Sequence, residues 1–314
     1  MSENSLHTSA DSNSAELVSV IIPCYNSQNF IHRAINSVFA QTHKHWELIL
    51  VDNNSADNTL EMLNTYAQKY PGLIKVYQET KKGAPAARNK GLVHAQGEVI
   101  QYLDADDELL PGKIEGQLNL MQQQGAQLIA GEAIFVARNG ETEVRTPRKL
   151  YINDAWVALI KSQIGITSAN LFGKAALLSI NGWDESLKSS QEYDLMFRMM
   201  QNPGVKVAFD QRPLTLIHKL ESGISASDDK SRFAQIIDSR VQLRLRIKDF
   251  LKQANLQSPE RADAVQTYIY DELMRNRFII PAYVSQKMKS LGMRIPLKVQ
   301  VKDSLNKIKR TIKG

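Results

Sequence analysis

Between residues 18 and 133, short apolar runs alternate with stretches whose apolar residues recur at helical spacing. The first run, VSVIIP at 18–23, is rich in β-branched residues, and Ile31, Ile35 and Val38 follow it. Such a run predicts a buried strand, and the spacing of the three later residues predicts a helix packed on it. Strands that alternate with helices in this way predict a largely parallel sheet with helices on both faces.

The alternation continues through the first half of the chain and then changes. Further strands are predicted at 47–52, 73–78, 98–104 and 127–133, and further helices at 57–70, 84–96 and 111–124. The stretch 134–190 is less regular and is expected to hold loops and an antiparallel edge. We expect a disordered leader over 1–16, an α/β domain over 17–228 and a helical C-terminal region over 229–314.

The net charge of +6 is concentrated at the C-terminus. Residues 286–314 contain nine Lys and Arg and one acid, Asp303, which leaves 30 basic and 32 acidic residues, a net −2, for the rest. The pI of 9.2 therefore does not indicate a nucleic-acid partner. No apolar run reaches the roughly 18 residues of a membrane span. The one cysteine, Cys24, lies in an apolar run and is expected in the core.

The basic tail also carries an apolar stripe at helical spacing. The sequence predicts an amphipathic helix with two possible contacts, an anionic membrane surface or the protein itself. A location in the cytoplasm, with peripheral attachment to the inner face of the cell membrane, fits the first alternative. The stripe consists of Leu297, Val301, Leu305, Ile308 and Ile312.

Three polar clusters follow predicted strands, at residues 23–26, 52–54 and 104–107. Ligands of open α/β sheets bind outside the carboxyl ends of the strands, so clusters at several such ends predict one site. Turn geometry alone is the alternative, because Asn and Asp favour turns. In the last cluster, Asp104-Ala105-Asp106 presents two carboxylates from one turn, which suits Mg²⁺ or Mn²⁺ together with substrate phosphate oxygens.

Other common phosphate and metal motifs are missing from the sequence. No G-x-G-x-x-G follows the first strand, and Gly173-Lys174 is followed by Ala175 where a P-loop needs Ser or Thr. The sequence contains neither the H-E-x-x-H motif nor the paired C-x-x-C motifs that would indicate zinc. A nicotinamide-dependent dehydrogenase and a P-loop enzyme are therefore disfavoured.

The segments VSVIIPCYN, LILVDNNSADNT and GAPAARNKGLVHAQGEVIQYLDADD, followed by INGWDESL, QEYDLMFRM and IHKLESGISAS, resemble glycosyltransferase family 2. The resemblance covers about residues 18–226, in the order and spacing of the family. It implies an inverting enzyme with the GT-A fold, a Rossmann-like and mostly parallel sheet flanked by helices, followed here by a C-terminal helical appendage.

The resemblance also assigns the nucleotide pocket. It implies that Tyr25 stacks on the base of the donor and that Asp52 accepts a hydrogen bond from a ring N–H. Pro23 and Asn26 are expected to shape this pocket. Arg88, in the ARN motif, is expected beside the nucleotide.

For the Asp104-Ala105-Asp106 motif, the resemblance implies that Asp104 contacts the ribose and that Asp106 binds a divalent metal, Mn²⁺ or Mg²⁺, which bridges the donor diphosphate. Asp107 is expected to brace the turn. His218 corresponds to a family residue that approaches the metal or the diphosphate, with a role in the core as the alternative.

The catalytic base departs from the family pattern. Family members commonly carry Glu-Asp-x-Asp, whereas this chain has Gln191-Glu192-Tyr193-Asp194, so Glu192 takes the position of the base. Asp194 is the second candidate. Gly182 and Trp183 resemble the loop that borders the acceptor.

The implied activity is transfer of a sugar from a nucleotide-diphosphate-sugar, with UDP as the expected nucleotide, to a hydroxyl of a saccharide or lipid-linked acceptor. This reaction belongs to the synthesis of cell-surface polysaccharides or glycolipids. A sugar nucleotidyltransferase is one alternative, although the first loop, CYNSQNF, is neither Gly-rich nor basic. A non-catalytic nucleotide-sugar-binding scaffold is the other alternative.

Overall fold

The computed structural model describes residues 16–139, 142–219 and 230–294, and the chain divides into two compact units. The first unit comprises Met1–Leu187 and Gln191–Glu221, and the second comprises Lys188–Ser190 and Ser222–Gly314. The predicted domain boundary near residue 229 and nearly all of the predicted leader lie outside the described residues.

The described part of the first unit contains eleven strands and seven α-helices. The strands are β1 Val18–Cys24, β2 Trp46–Asp52, β3 Ile74–Gln78, β4 Val99–Tyr102, β5 Glu108–Leu109, β6 Leu128–Gly131, β7 Ala133–Asn139, β8 Thr142–Arg148, β9 Leu171–Gly173, β10 Val207–Asp210 and β11 Thr215–His218. The helices are α1 Ile31–Phe39, α2 Thr59–Lys69, α3 Ala84–His94, α4 Lys113–Gln124, α5 Ala155–Ile160, α6 Lys174–Ser179 and α7 Gln191–Met200.

The central sheet has seven strands in the order β10-β6-β9-β4-β1-β2-β3. Every neighbouring pair is parallel except those of β9, which runs antiparallel to β4 and β6. The prediction of a mostly parallel sheet is confirmed. A second sheet, in the order β5-β11-β7-β8, ends in the antiparallel β7–β8 pair. The strand predicted near 127–133 corresponds to β6, and the strand that follows it, β7, belongs to the second sheet.

Strand β1 is covered on both faces because its side chains alternate between them. Val20 and Ile22 belong to the same buried cluster as Ile35 of α1, as the apolar spacing of that helix predicts. Ile21 points to the other face, where a Cβ on Gly91 of α3 would lie only 2.3 Å from its side chain. Helices α1 and α3 therefore pack on opposite faces, and the β1 residues between them are fully buried.

The parallel registers bring the three polar clusters to one edge of the central sheet. Cys24 at the end of β1 lies opposite Asp52 at the end of β2. On the other side of β1, Ile21 lies opposite Tyr102, the last residue of β4. The chain therefore enters the loops at 24–26, 52–54 and 103–107 from neighbouring strands. Cys24 itself is buried, as predicted.

The described part of the second unit is helical, with α8 Lys230–Gln253, α9 Pro259–Asn276 and α10 Pro281–Ser290. The guanidinium of Arg244 on α8 is fully buried and lies 3.8 Å from the ring centroid of Tyr268 on α9. Asp238 on α8 accepts hydrogen bonds from Tyr283 and Lys287 on α10, at 2.9 and 2.6 Å. Among the described residues, no helix is both long and apolar enough to cross a membrane.

Candidate active site

Asp52 presents an unused acceptor at the end of β2. Its side chain is buried, and Oδ2 accepts a long 3.4 Å hydrogen bond from the backbone N–H of Ser55. Its Oδ1 is buried and has no hydrogen-bond partner among the described residues. A buried acceptor without a partner is costly, so this oxygen is suited to an N–H group of a ligand. Tyr25, just beyond the neighbouring strand end, is 54% exposed and offers a ring surface.

The loops beside Asp52 are held by two asparagines. Asn26 adopts the left-handed region (φ 48°), which Asn tolerates, and its Oδ1 accepts a 2.8 Å hydrogen bond from the N–H of Ala56. Pro23 lies one residue before the end of β1, where it pairs with Val51. Asn53 was assigned no role from the sequence. Its side chain bonds three backbone groups of the loop that follows β3: the carbonyls of Glu79 and Lys81 at 2.8 Å and the N–H of Gly83 at 2.7 Å.

Arg88 of α3 joins two parts of the predicted site. Its Nη2 donates a 2.6 Å hydrogen bond to Oδ1 of Asp104, and its guanidinium carbon lies 4.5 Å from the ring centroid of Trp183. The charge-assisted hydrogen bond to Asp104 and the cation–π contact with Trp183 hold the guanidinium in place. The structure therefore brings Arg88, Asp104 and the Gly182–Trp183 loop together.

The next residue, Asn89, holds the same loop and was not identified from the sequence. Its Oδ1 accepts from the N–H of Trp183 at 2.8 Å, and its Nδ2 donates to the carbonyl of Trp183 at 2.9 Å and to Glu185 Oε1 at 2.8 Å. Gly182 has φ +65°, and a Cβ there would lie 2.5 Å from Asn89 Oδ1. The position requires glycine for both reasons. Asn89 belongs to the ARN motif, but no local pattern marks its contact with a loop 94 residues away.

The turn after β4 concentrates negative charge. The N–H of Asp107 donates to the carbonyl of Asp104 at 3.0 Å, and the side chain of Ala105 is buried within the turn. Burial, followed by the negative charge of Asp104, raises the pKa of Asp106 to about 6. A carboxylate in such surroundings gains from a nearby cation.

A divalent cation fits this donor set, with carboxylate oxygens from the turn and the remaining positions left to water and phosphate. Within the described ranges, no group of three or more His, Cys, Asp or Glu side chains is arranged to hold a metal. A complete protein cage is therefore missing there, and Mg²⁺ or Mn²⁺ sites of this kind are completed by substrate phosphates.

Asp107 turns inward and braces the turn. Its Oδ2 accepts from the hydroxyl of Ser168 at 2.6 Å, and its Oδ1 accepts from the backbone N–H of His218 at 3.2 Å. Burial and the charges of Asp104 and Asp106 raise its pKa well above the usual range.

The ring of His218 is engaged elsewhere. Its Nε2 lies 2.7 Å from Glu108 Oε1, which Arg33 also approaches at 3.3 Å. Burial, with the positive charge of Arg33, lowers the pKa of His218. The structure places His218 beside the turn, with its Nε2 paired with Glu108.

The two candidate bases point to different surroundings on α7. Glu192, in the first turn, is partly exposed, and its carboxylate has no partner among the described residues. Asp194 is buried, and its Oδ2 accepts a 2.7 Å hydrogen bond from Arg198 Nε. Arg198 Nη1 in turn donates to the carbonyls of Ile180 and Gly182, at 2.8 and 2.7 Å.

The fold is the GT-A fold, as its likeness to solved structures shows. The mannosyltransferase PcManGT of Pyrobaculum calidifontis, solved with GDP-Man and Mn²⁺, aligns with a TM-score of 0.60 at 16% identity, over 93% of this chain and 79% of that one. Residues 1–349 of TarS from S. aureus, solved with UDP-GlcNAc, align with a TM-score of 0.58 at 20% identity, over 90% and 77% of the two chains.

The chain belongs to glycosyl transferase family 2, whose profile matches residues 19–180. TuaG of Bacillus subtilis, a glycosyltransferase assigned to teichuronic acid biosynthesis, is 37% identical over 142 residues, 44% of this chain and 56% of the relative. The UDP-Glc:alpha-D-GlcNAc-diphosphoundecaprenol beta-1,3-glucosyltransferase WfgD of Escherichia coli is 35% identical over 123 residues, 39% and 48% of the two chains. The chain thus matches about half the length of these relatives.

Proposed function

We propose that this protein is an inverting glycosyltransferase that moves a sugar from a nucleoside-diphosphate sugar to a hydroxyl of a saccharide or lipid-linked acceptor. The observation that carries this proposal is that three features converge at one sheet edge: the Arg88–Asp104 pair, Asp52 Oδ1, which has no partner in the described part of the chain, and the turn at 104–107, here called the carboxylate turn. Family membership supports it, as do relatives named for teichuronic acid synthesis and for glucosyl transfer to a diphosphoundecaprenol-linked sugar.

The nucleotide is proposed to lie across the ends of β1, β2 and β4. Tyr25 stacks on the base, and Asp52 Oδ1 accepts from its ring N–H, which a uracil supplies. Asp104 contacts the ribose while Arg88 holds that carboxylate in place. UDP is the proposed nucleotide, in line with the relative named for UDP-Glc.

Asp106 is the residue proposed to hold a divalent cation, Mn²⁺ or Mg²⁺, together with the donor diphosphate. Such an ion neutralises the charge that builds on a nucleoside-diphosphate leaving group. His218 can add to this site only if its ring leaves Glu108. The ring pairing with Glu108 therefore favours a site built on the carboxylates and the diphosphate.

Glu192 is the proposed catalytic base. It removes the proton from the acceptor hydroxyl as that oxygen attacks the anomeric carbon and the bond from this carbon to the diphosphate breaks. One displacement of this kind inverts the anomeric configuration. Glu192 is partly exposed and its carboxylate has no partner among the described residues, which favours it over Asp194, whose carboxylate is bonded to Arg198.

A single assay tests the activity. Purified protein is incubated with a panel of UDP-sugars and saccharide or lipid-linked saccharide acceptors, with and without Mn²⁺, and release of UDP is measured. We expect acceptor-dependent release that requires the metal. A nucleotidyltransferase would instead consume a sugar phosphate and a nucleoside triphosphate. A scaffold would be stabilised thermally by a nucleotide sugar without any turnover.

A further inference from the structure

A single buried hydroxyl connects both ends of the carboxylate turn. Ser168 lies in a short 3-10 helix, Thr167–Ala169, and is 1% exposed. Its Oγ accepts a 3.0 Å hydrogen bond from the backbone N–H of Asp104 and donates a 2.6 Å hydrogen bond to Asp107 Oδ2. The residues it contacts are 64 and 61 positions away in the sequence.

The backbone of Ser168 is itself held by a buried polar network. Its carbonyl accepts a 3.0 Å hydrogen bond from Gln101 Nε2, and Gln101 Oε1 is bonded to the fully buried Lys113. Lys113 Nζ also donates to the carbonyl of Asn170 at 3.1 Å. A buried network with several linked hydrogen bonds leaves its members little freedom, so the hydroxyl of Ser168 is a fixed point for the turn.

We propose that Ser168 is a positioning residue that sets the direction of the Asp104 and Asp106 carboxylates for the metal-bound diphosphate, an inference that rests on the proposed function. The hydroxyl fixes the backbone where Asp104 begins the turn and donates a hydrogen bond to Asp107, which lies beside two like charges. Without it, Asp107 Oδ2 faces those charges unbonded, and the turn relaxes away from them. On the other side of the turn, Arg33 Nη2 bonds the backbone carbonyl of Asp106 at 2.5 Å, so this contact holds backbone and no carboxylate.

The chain offers a closely matched control. Ser19 is also fully buried; its Oγ donates to Glu47 Oε1 at 2.7 Å and accepts from the N–H of Gly97 at 2.8 Å. It makes the same two kinds of hydrogen bond near the start of β1, at the opposite end of the sheet from the carboxylate turn. Ser168→Ala and Ser19→Ala therefore remove equivalent interactions at two distances from the site.

The test measures UDP binding by calorimetry, with and without Mn²⁺, in the full-length wild type and both variants. Loss of a residue that orients metal-binding side chains typically weakens metal affinity by about 10- to 100-fold. We expect Ser168→Ala to lose about tenfold or more of the affinity that Mn²⁺ adds, while binding without metal changes by less than about threefold. Ser19→Ala should lower Tm to a similar extent and keep the full effect of Mn²⁺.

Equal responses to Mn²⁺ in the two variants would overturn the role of Ser168. If wild-type protein binds UDP no better with Mn²⁺, the proposed metal site itself fails, which separates the two hypotheses. Should Ser168→Ala not fold, Ser168→Cys keeps a weaker donor of similar size. That variant should retain part of the Mn²⁺ effect, and full retention or the same loss in Ser19→Cys would count against the inference.

Discussion

Three aspartates crowd their carboxyl groups into the turn after β4, and two of them, Asp106 and Asp107, have raised pKa values. A raised pKa means that the folded protein binds protons more tightly than the unfolded chain. The free energy of unfolding therefore falls as the pH rises from the unfolded to the folded pKa value. The folded protein is more stable when these carboxyl groups are protonated. The charges of the turn therefore reduce the stability of the folded protein at neutral pH.

The first prediction concerns Asp106→Asn without metal. Because the pKa of Asp106 is raised to about 6, the charged carboxylate costs stability at pH 7, and the variant should melt about 5 °C higher than wild type there. Toward pH 4.5 wild-type Asp106 becomes protonated, so the difference should shrink. Thermal denaturation from pH 4.5 to 7.5 in chelator measures it, and a variant less stable than wild type at pH 7 would contradict the prediction. The same variant should bind UDP without any gain from Mn²⁺.

The second prediction concerns the proposed base. Glu192→Gln keeps the size of the side chain but cannot accept the acceptor proton, so kcat should fall by about 100-fold or more. The affinities for UDP and Mn²⁺, measured by calorimetry, should stay within about twofold of wild type. The Glu192 side chain makes no hydrogen bond or ion pair with another described residue, so the substitution disturbs no contact that supports those ligands. Near wild-type turnover would move the base elsewhere.

At the scale of elements, side chains from two helices hold one loop. Asn89 of α3 bonds both backbone groups of Trp183, and Arg198 of α7 bonds the carbonyls of Ile180 and Gly182. The loop that the family resemblance places beside the acceptor is therefore held by its backbone. The Trp183 ring is engaged as well, because it is 2% exposed and lies 4.5 Å from the Arg88 guanidinium.

The third prediction tests the α7 support of this loop. Asp194 is almost fully buried against Arg198, and breaking a buried charge pair by removing one partner costs about 3–5 kcal/mol. Asp194→Asn keeps the shape and some hydrogen bonding, so we expect a loss of about 2 kcal/mol in the free energy of urea unfolding and residual activity above that of Glu192→Gln. A stable but inactive Asp194→Asn, beside an active Glu192→Gln, would reverse the two assignments.

The fourth prediction compares two glycines. Gly182→Ala should cost about 1–3 kcal/mol because its backbone has positive φ and its Cβ would meet Asn89. Gly72 has φ +82°, and a Cβ at that position would have nothing within 4 Å, so Gly72→Ala reports backbone strain alone. We expect Gly182→Ala to raise KM for the acceptor severalfold and Gly72→Ala to leave it unchanged. Equal KM values would show that the loop does not border the acceptor.

For the whole molecule, the membrane prediction rests on the basic tail, of which residues 295–314 lie outside the described part. Helix α10 ends at Ser290, so a truncation at the start of the basic tail, after residue 285, would divide that helix. A chain ending at Arg294 keeps α10 whole and removes most of the cations of 286–314 together with the apolar stripe Leu297, Val301, Leu305, Ile308 and Ile312.

The fifth prediction is that full-length protein sediments with vesicles containing phosphatidylglycerol, and that salt and truncation at Arg294 both abolish this. Each Lys or Arg near an anionic surface contributes about 1 kcal/mol, and salt screens that attraction. Vesicles of phosphatidylcholine alone serve as the control. If the truncated protein sediments equally but melts at a lower temperature, the tail packs on the protein instead.

The sequence by itself determined the class of fold and the edge at which the site lies. Apolar periodicity and the order of strands are local properties, and parallel strands necessarily bring their carboxyl ends to one side. The clusters at 23–26, 52–54 and 104–107 could therefore be grouped from the order of the residues alone. Family resemblance added the roles, which the structure leaves as proposals.

Only the tertiary structure decided which side chains support that site. Ser168, Asn89 and Arg33 contact groups 61 to 96 residues away, and no local pattern marks a hydroxyl, amide or guanidinium that will meet a distant turn. The ring partner of His218 and the split between β6 and β7 depend equally on packing between elements. Periodicity specifies which face of an element is buried, whereas a hydrogen-bond partner is fixed only when the packed elements set its distance and direction.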